Sequence, residues 1–400
     1  MTTASAPSSV DPAILEARTW DVAVVGSGPA GAMVAHELAR LGCSVVLLDR
    51  QAFPRWKVCG ACLSPGAQDA LRSAGLGDLP TRSGARPLEI LRLRGWSIQA
   101  DVPLRGSLAL SRGAFDMALV RAAREEGAQF VSRARTRLDT VTAEAAHLRV
   151  ELPDATAKLT ARIVVAADGL RSAILGKAGG GAPPSAPDAG KAGKVGLGAV
   201  FERADPEYGP GVIHMAVGQE GYVGLVRTED GTLNVAAALK PSALGRNTSP
   251  QDAVSRILRQ ASFPPLEGEP AEGWRGTPNL AYHPVRVGGE RVFAVGDAAG
   301  YVEPFTGEGM SWALAGAGTL APIVRRAVDG WSADLLEEWS RAYRRTVGHA
   351  QRLCRGAAWT LGRPVLSRAA LRLLNRYPDV AAPFVTRAAS PPPSLAGRPS

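Results

Sequence analysis

The sequence predicts an α/β protein: a doubly wound parallel-sheet domain that carries an inserted antiparallel sheet and is followed by C-terminal helices. Three observations predict it. Asp21 to Arg50 passes from strand to glycine-rich turn to helix to strand. Four short runs of strand character follow one another between Val195 and Leu239, and Asp334 to Arg387 is largely helical in pattern.

The first stretch, DVAVVGSGPAGAMVAHELARLGCSVVLLDR, carries the chemistry. Asp21 to Val25 is a short apolar strand, Gly26-Ser27-Gly28-Pro29-Ala30-Gly31 a turn, and the segment through Arg40 a helix. Ser44 to Leu48 is a second buried strand, ending in Asp49 and Arg50. This is a complete G-x-G-x-x-G context with an acid about 20 residues on. In such a Rossmann-type unit Gly26 allows the tight turn, Gly28 lets a pyrophosphate approach the backbone, and Gly31 lets the helix sit close to the strand. The helix N-terminus faces the phosphates with free N–H groups, and Asp49 accepts from an adenosine ribose hydroxyl. FAD or NAD(P) is the expected ligand, with Gly26, Gly28, Ala30, Gly31, Asp49 and Arg50 around it.

Four hundred residues, 46% of them apolar, suffice for two or three structural units. The formal charge of +9 comes almost entirely from arginine, since there are only six lysines. These arginines read as spread along the chain, so no nucleic-acid partner is expected. A solvated surface, a phosphorylated substrate or an anionic membrane are the remaining uses. Four cysteines make no disulfide framework and suit a reducing cytoplasm. Met1 to Arg18 lacks the apolar core of a signal peptide, and no run approaches ~18 apolar residues. A cytoplasmic protein, soluble or peripheral at a membrane, is expected, with disorder over residues 1–18 and 390–400.

After Asp49, QAFPRWKVCGACLSPGAQDAL is a loop that ends in a helix start at Ser64-Pro65. Leu88 to Leu93 and Trp96 to Leu104 read as strands with Arg94-Gly95 between them, and Ser111-Arg112-Gly113 leads into a helix ending at Gly127. Phe130 to Arg137, Leu148 to Leu152 and Leu159 to Val165 continue the strand pattern up to Asp168-Gly169. Gly179 to Gly193 reads as a linker or mobile loop. Val195 to Phe201, Val212 to Val217, Tyr222 to Val226 and Leu233 to Leu239 read as a β-meander, with Thr228 to Gly231 its clearest hairpin turn. Arg291 to Val295 is a buried strand ending in Gly296-Asp297. The dinucleotide-binding domain is expected at 19–85, 106–180 and 286–328, the inserted substrate layer at 86–105 and 190–285, and a helical region at 329–389.

Three stations stand in order: GSGPAG near the start, ADGLRS in the middle, and GDAAG…PFTGEGM near residue 300. On these the chain resembles the flavoproteins with the p-hydroxybenzoate-hydroxylase fold, over roughly residues 20–325. The loop PRWKVCGACLSP is similar to the P-R-x-K-x-C-G loop of their geranylgeranyl-reductase-like branch. The wider family also holds aromatic hydroxylases and flavin halogenases. The resemblance implies non-covalent FAD, held by Arg112, Asp168, Gly296, Asp297, Pro304, Gly307, Gly309 and Met310 beside the first station. Asp297 ends a strand at a turn, so it can accept from a ribityl hydroxyl. Gly307 and Gly309 open a helix whose positive end stabilises the negative charge of reduced flavin.

Cys59 is the candidate general acid, with Lys57 two residues away to lower its pKa. His214, between Ile213 and Met215 on a strand, is a candidate base. Cys62 completes a C-x-x-C but matches no family position and reads as incidental, and the scattered histidines suggest no metal. Arg368, Arg372 and Arg376 form a basic helix face beside Leu371, Leu373 and Leu374, either solvated or touching a membrane. There is no second G-x-G-x-x-G, so NAD(P)H binds transiently or a separate reductase supplies electrons. The favoured activity is FAD-dependent reduction of a C=C bond in a hydrophobic isoprenoid or polyketide. Hydroxylation of an aromatic or polyketide ring with O2 is the alternative, since fold does not settle chemistry. A flavin halogenase and a non-catalytic prenyl-lipid carrier stand behind both.

Overall fold

Apolar runs too short for helices and rich in valine and leucine build a sheet covered on both faces. In the computed structural model, which describes residues 12–179, 193–245, 247–280, 282, 284–302, 305, 307–361 and 363–378, five such runs lie parallel. Their spatial order is Val292–Ala294, Thr156–Ala166, Thr19–Val25, Val45–Leu48, Gln129–Val131. Helix Pro29–Arg40 packs on this sheet between helices Gly309–Asp329 and Arg112–Glu125. The C-terminal ends of the central strands therefore meet the starts of two helices, which is where doubly wound sheets place ligands. Arg135–Val141 and Ala146–Glu151 add an antiparallel pair beside Thr156–Ala166. The single strand expected from Phe130 to Arg137 is thus two, parted where Arg133 turns with φ +54°.

The second sheet runs Arg275–Asn279, Val195–Phe201, Leu233–Leu239, Gly221–Arg227, Val212–Gly218, Arg86–Gly95, Ile98–Ala109, Cys62–Leu63. Its hairpin at Thr228 to Gly231 forms as expected, with Thr228 N–H donating to Thr232 O at 3.0 Å and the Asp230 carboxylate accepting from Thr232 N–H. Two expectations are corrected. The turn between the first two strands is Trp96-Ser97, both at positive φ as a two-residue hairpin requires, and not Arg94-Gly95. Only the last three of the four runs form a meander: Val195–Phe201 pairs with Leu233–Leu239, while Val212–Gly218 takes Arg86–Gly95 as a parallel neighbour. The connection between Phe201 and Val212 carries the fully buried Tyr208, whose hydroxyl donates to Pro264 O at 2.6 Å. That buried anchor carries the chain across the sheet instead of straight back.

This sheet separates two apolar clusters. Ala216, Val223, Leu225 and Val235 face helix Pro250–Gln260, whereas Leu93, Val102, Met215, Val217 and Tyr222 face Phe305 and Leu371. The C-terminal helices Ala333–Tyr343, His349–Leu361 and Pro364–Arg376 follow, and Leu371 of the last seals the second cluster. The segment before residue 18 is corrected in part: Pro12–Glu16 is helical because Leu15 is buried and its carbonyl accepts from Trp20 Nε1–H at 3.3 Å. Pro304, the 390–400 tail and most of Gly179 to Gly193 lie outside the described residues. No helix among the described residues is long and apolar enough to cross a membrane.

Candidate active site

The first station folds as its glycines demand. A Cβ on Gly26, at φ +103°, would strike the Ala167 carbonyl, and one on Gly31 would strike the Gly26 carbonyl. Both approaches lock the glycine turn against the end of Thr156–Ala166. Gly28 precedes helix Pro29–Arg40 in extended conformation with no side-chain cap, which leaves N–H groups of the first turn pointing outward. Ala30 lies 2.8 Å from where a Cβ on Gly296 would sit, so the first and third stations abut. Asp49 accepts from Ser27 N–H at 2.9 Å, Ser27 Oγ–H at 2.7 Å and Gln51 N–H at 2.9 Å. Burial works against its charge, but Arg55 and these hydrogen bonds outweigh burial and hold the carboxyl below its ordinary value. Arg50, beside it, is exposed.

Two guanidiniums close over this cradle. A Cβ on Gly28 would lie 3.5 Å from Arg112 Nη2 and 3.7 Å from Arg55 Nη2. Arg112 holds the fully buried Asp116 through two hydrogen bonds, and Arg55 Nη1 reaches the same carboxylate at 3.2 Å. Burial opposes the Arg112 charge, yet Asp116 overrides it and raises the pKa further. The loop bearing Arg55 is pinned to the second sheet: Asn234 Nδ2–H donates to Cys59 O at 2.8 Å, and Arg275 Nη1–H to Trp56 O at 2.9 Å. Cys59, on the same loop, is an electrostatic neighbour of Arg112. Lys57 points elsewhere, with Nζ 3.7 Å from a Cβ built on Gly169. Burial pushes its pKa down, a shift opposed by Asp297 and reinforced by Arg112 and Arg55. Asp168 accepts from Ala173 N–H at 2.9 Å and Ile174 N–H at 3.4 Å through Oδ2, and burial raises its pKa despite them. Its Oδ1 is buried with no partner.

At the other end, Asp297 sits in the turn Gly296–Ala299, and Gly307 leads through Glu308 into helix Gly309–Asp329, where Met310 is buried. Cys62 Cβ lies 3.8 Å from a Cβ built on Gly307, so the cysteine read as incidental borders the third station. Its thiol is pushed up to about 12 by burial and by the neighbouring Glu308 and Cys59. Glu308 is 1% exposed, accepts from Ser64 Oγ–H at 2.9 Å, and is pushed up to about 7 by burial. His214 is not part of this assembly. Its ring packs edge-on against Tyr208 at 5.2 Å and Phe263 at 5.7 Å, on the face away from Met215 and Phe305. Burial, then Arg92 and Arg94, lower its pKa to about 4. The strand alternation that exposes Met215 to the apolar layer turns His214 away from it.

Residues 19–353 match the family model described as FAD binding domain. The chain belongs to that family. It is 29% identical over 364 residues to digeranylgeranylglycerophospholipid reductase 1 of Methanopyrus kandleri, covering 82% of this chain and 88% of that one. It is 29% identical over 319 residues to menaquinone reductase of Mycolicibacterium smegmatis, covering 74% and 73%. Among solved structures, a flavoprotein/dehydrogenase from Cytophaga hutchinsonii superposes with a TM-score of 0.78 at 17% identity over 93% of both chains. The halogenase PltM in complex with phloroglucinol and FAD gives a TM-score of 0.72 at 17% identity over 92% of this chain and 85% of that one. These superpositions establish the fold.

The protein is an FAD-dependent oxidoreductase, and its residues fit the cofactor. An uncapped helix start and two guanidiniums meet at Gly28, the Asp168 Oδ1 is buried without a partner, and Asp297 neighbours Lys57. Arg55, Asp116, Ser64 and Glu308 belong to the site although their residue types alone single out none of them. The i,i+4 spacing of Arg112 and Asp116 is the one sequence signal for this group.

Proposed function

We propose that this oxidoreductase reduces a C=C bond of a hydrophobic, isoprenoid-type or polyketide substrate, with non-covalently bound FAD. The observation that carries the reading is the apolar face over the third station. Leu93, Met215, Val217 and Tyr222 look onto Phe305, with the Tyr222 and Phe305 rings 5.1 Å apart. Such a face suits a long hydrocarbon, and that substrate class favours reduction of a C=C bond over hydroxylation of a ring. The names of the two reductases above support the same choice of substrate class. Reduced FAD supplies a hydride. The chain's own groups would supply the rest: Arg55, Arg112, Lys57 and Asp297 would hold the cofactor, and Cys59 would deliver a proton to the substrate carbon. NAD(P)H or a separate reductase reloads the cofactor, and the protein works in the cytoplasm or in peripheral contact with a membrane.

The test is oxygen dependence. Enzyme reduced without air and given an isoprenoid quinone or polyprenyl lipid should yield a product two hydrogens heavier. Product formed only with O2, carrying one ¹⁸O from ¹⁸O2, overturns the reading in favour of a hydroxylase.

A further inference from the structure

The net charge is localised. Between Arg341 and Arg376 the sequence holds nine arginines and one histidine, with no Asp, Glu or Lys. Taking those nine from the 46 lysines and arginines leaves 37, equal to the 37 carboxylates, so this segment carries the entire formal charge of +9. The even spread expected of the basic residues is therefore corrected. All nine arginines are exposed along the C-terminal helices and their connections. Arg341, Arg344, Arg345, His349 and Arg352 line an open cleft of about 400 Å³.

Large apolar side chains lie exposed among them. Val365 is 76% exposed, Trp359 56%, Leu373 54% and Tyr377 52%. The Arg363 guanidinium lies 3.6 Å over the Trp359 ring, and that of Arg376 lies 5.4 Å over Tyr377. The opposite side of helix Pro364–Arg376 presents Leu371, 1% exposed, to Leu93 and Tyr222 in the proposed substrate layer. One helix thus has an apolar underside over the substrate sheet and a basic, apolar-studded outer side.

We propose that the face formed by residues 341–377 docks on the anionic surface of a lipid bilayer. The arginine cleft takes headgroup phosphates, while Trp359, Val365, Leu373 and Tyr377 enter the interfacial layer. Charge alone would suit a nucleic acid as well, but water-exposed Trp, Val, Leu and Tyr gain nothing from a sugar–phosphate backbone and gain burial in a headgroup layer. Arginine stems lie along such apolar surface with their heads on phosphate. Docking stands on charge and exposed apolar area; its use, delivery of substrate under helix Pro364–Arg376, rests on the reading of a hydrophobic substrate given above.

The experiment is co-sedimentation of the flavin-loaded protein with vesicles of phosphatidylcholine alone or mixed with phosphatidylglycerol. Binding should be confined to the mixed vesicles and weaken as salt is raised. R344A/R345A/R352A should weaken it by on the order of 100-fold, from about fivefold per arginine near an anionic surface. W359S/V365S should weaken the salt-resistant part, and both variants should keep the flavin spectrum of the parent. Failure to bind either vesicle, equal binding to neutral vesicles, parental binding by the arginine variant, or tighter retention by duplex DNA than by mixed vesicles each overturns the proposal. No substrate is present in these assays, so their failure leaves the reductase reading standing, and failure of the oxygen test leaves the docking standing.

Discussion

Arg112 holds Asp116 one helical turn away, Nε to Oδ1 at 2.8 Å and Nη2 to Oδ2 at 2.7 Å, with the carboxylate wholly shielded from water. Arg55 shares the same carboxylate, so one buried negative charge serves two guanidiniums that also border Gly28. Removing it leaves Arg112 without its counter-charge in a dry site and Arg55 with Asp49 alone, at 3.5 Å. Asp116→Ala should destabilise the FAD-free protein by about 3–5 kcal/mol, the usual cost of orphaning a buried ionic partner. Saturating FAD should narrow that gap, because the pyrophosphate gives both guanidiniums a new counter-charge. Urea unfolding with and without FAD checks both points. A gap that FAD does not change would mean the guanidiniums do not face the cofactor.

Asp297 stands at the end of Val292–Ala294 in a turn that brings it near Lys57. Asp297→Ala should weaken FAD binding by about 1.5–3 kcal/mol, the range for a hydrogen bond to a charged group. Titration of FAD into the stripped variant measures the change. Parental affinity in the variant would show that Asp297 carries no cofactor contact.

The glycine turns and their flanking strands were legible because their constraints act between neighbours in sequence. Gly26, Gly31 and the strands beside them announce one another within a few residues. The site's polar contacts were less legible because they join distant segments. Ser64 meets Glu308 across 244 positions, Cys62 meets Gly307, and Arg55 bridges Asp49 and Asp116. No local pattern encodes such pairs. Nor could the alternation around His214 decide the face: period two says that His214 and Met215 point oppositely, but which side meets the third station is set by the packing of helix Pro250–Gln260. Lys57 shows the same limit. Two residues from Cys59 in sequence, it points to Asp297 and Gly169, and Arg112 is the cation beside the thiol.

Cys59 and Cys62 are both free thiols bordering the site, and they have different surroundings. Cys59 is an electrostatic neighbour of Arg112. Cys62 is half-buried beside the Glu308 carboxyl, and its thiol is pushed up to about 12. Cys59→Ser should keep FAD content but lower turnover by about 10² to 10⁴, the usual cost of removing a general acid. Cys62→Ser should retain most of the activity. Single-turnover reoxidation of reduced enzyme by substrate separates the two. If Cys62→Ser suffers the larger loss, the proton comes from the side of the Gly307 turn instead.

Glu308 makes the stability of the fold depend on pH. Its carboxyl is 1% exposed, and burial raises its pKa from 4.5 to about 7 although Ser64 and Ser311 hydrogen-bond to it. The folded protein therefore binds this proton more tightly than the unfolded chain does. Stability contributed by the protonated form is fully present below the unfolded pKa near 4.5 and is lost as pH rises through about 7. The loss is at most about 3 kcal/mol, from 1.36 kcal/mol per pKa unit. Glu308→Gln keeps a group that can accept from Ser64 and cannot ionise, so it should be indifferent to this window. Measured by urea unfolding of the FAD-free protein, the variant should match the parent near pH 4.5 and exceed it increasingly toward pH 7. Above that the difference should level off, since both parental states are then ionised. A constant difference across the range would mean that Glu308 ionises freely in the folded protein, and that its burial against Ser64 does not hold the proton.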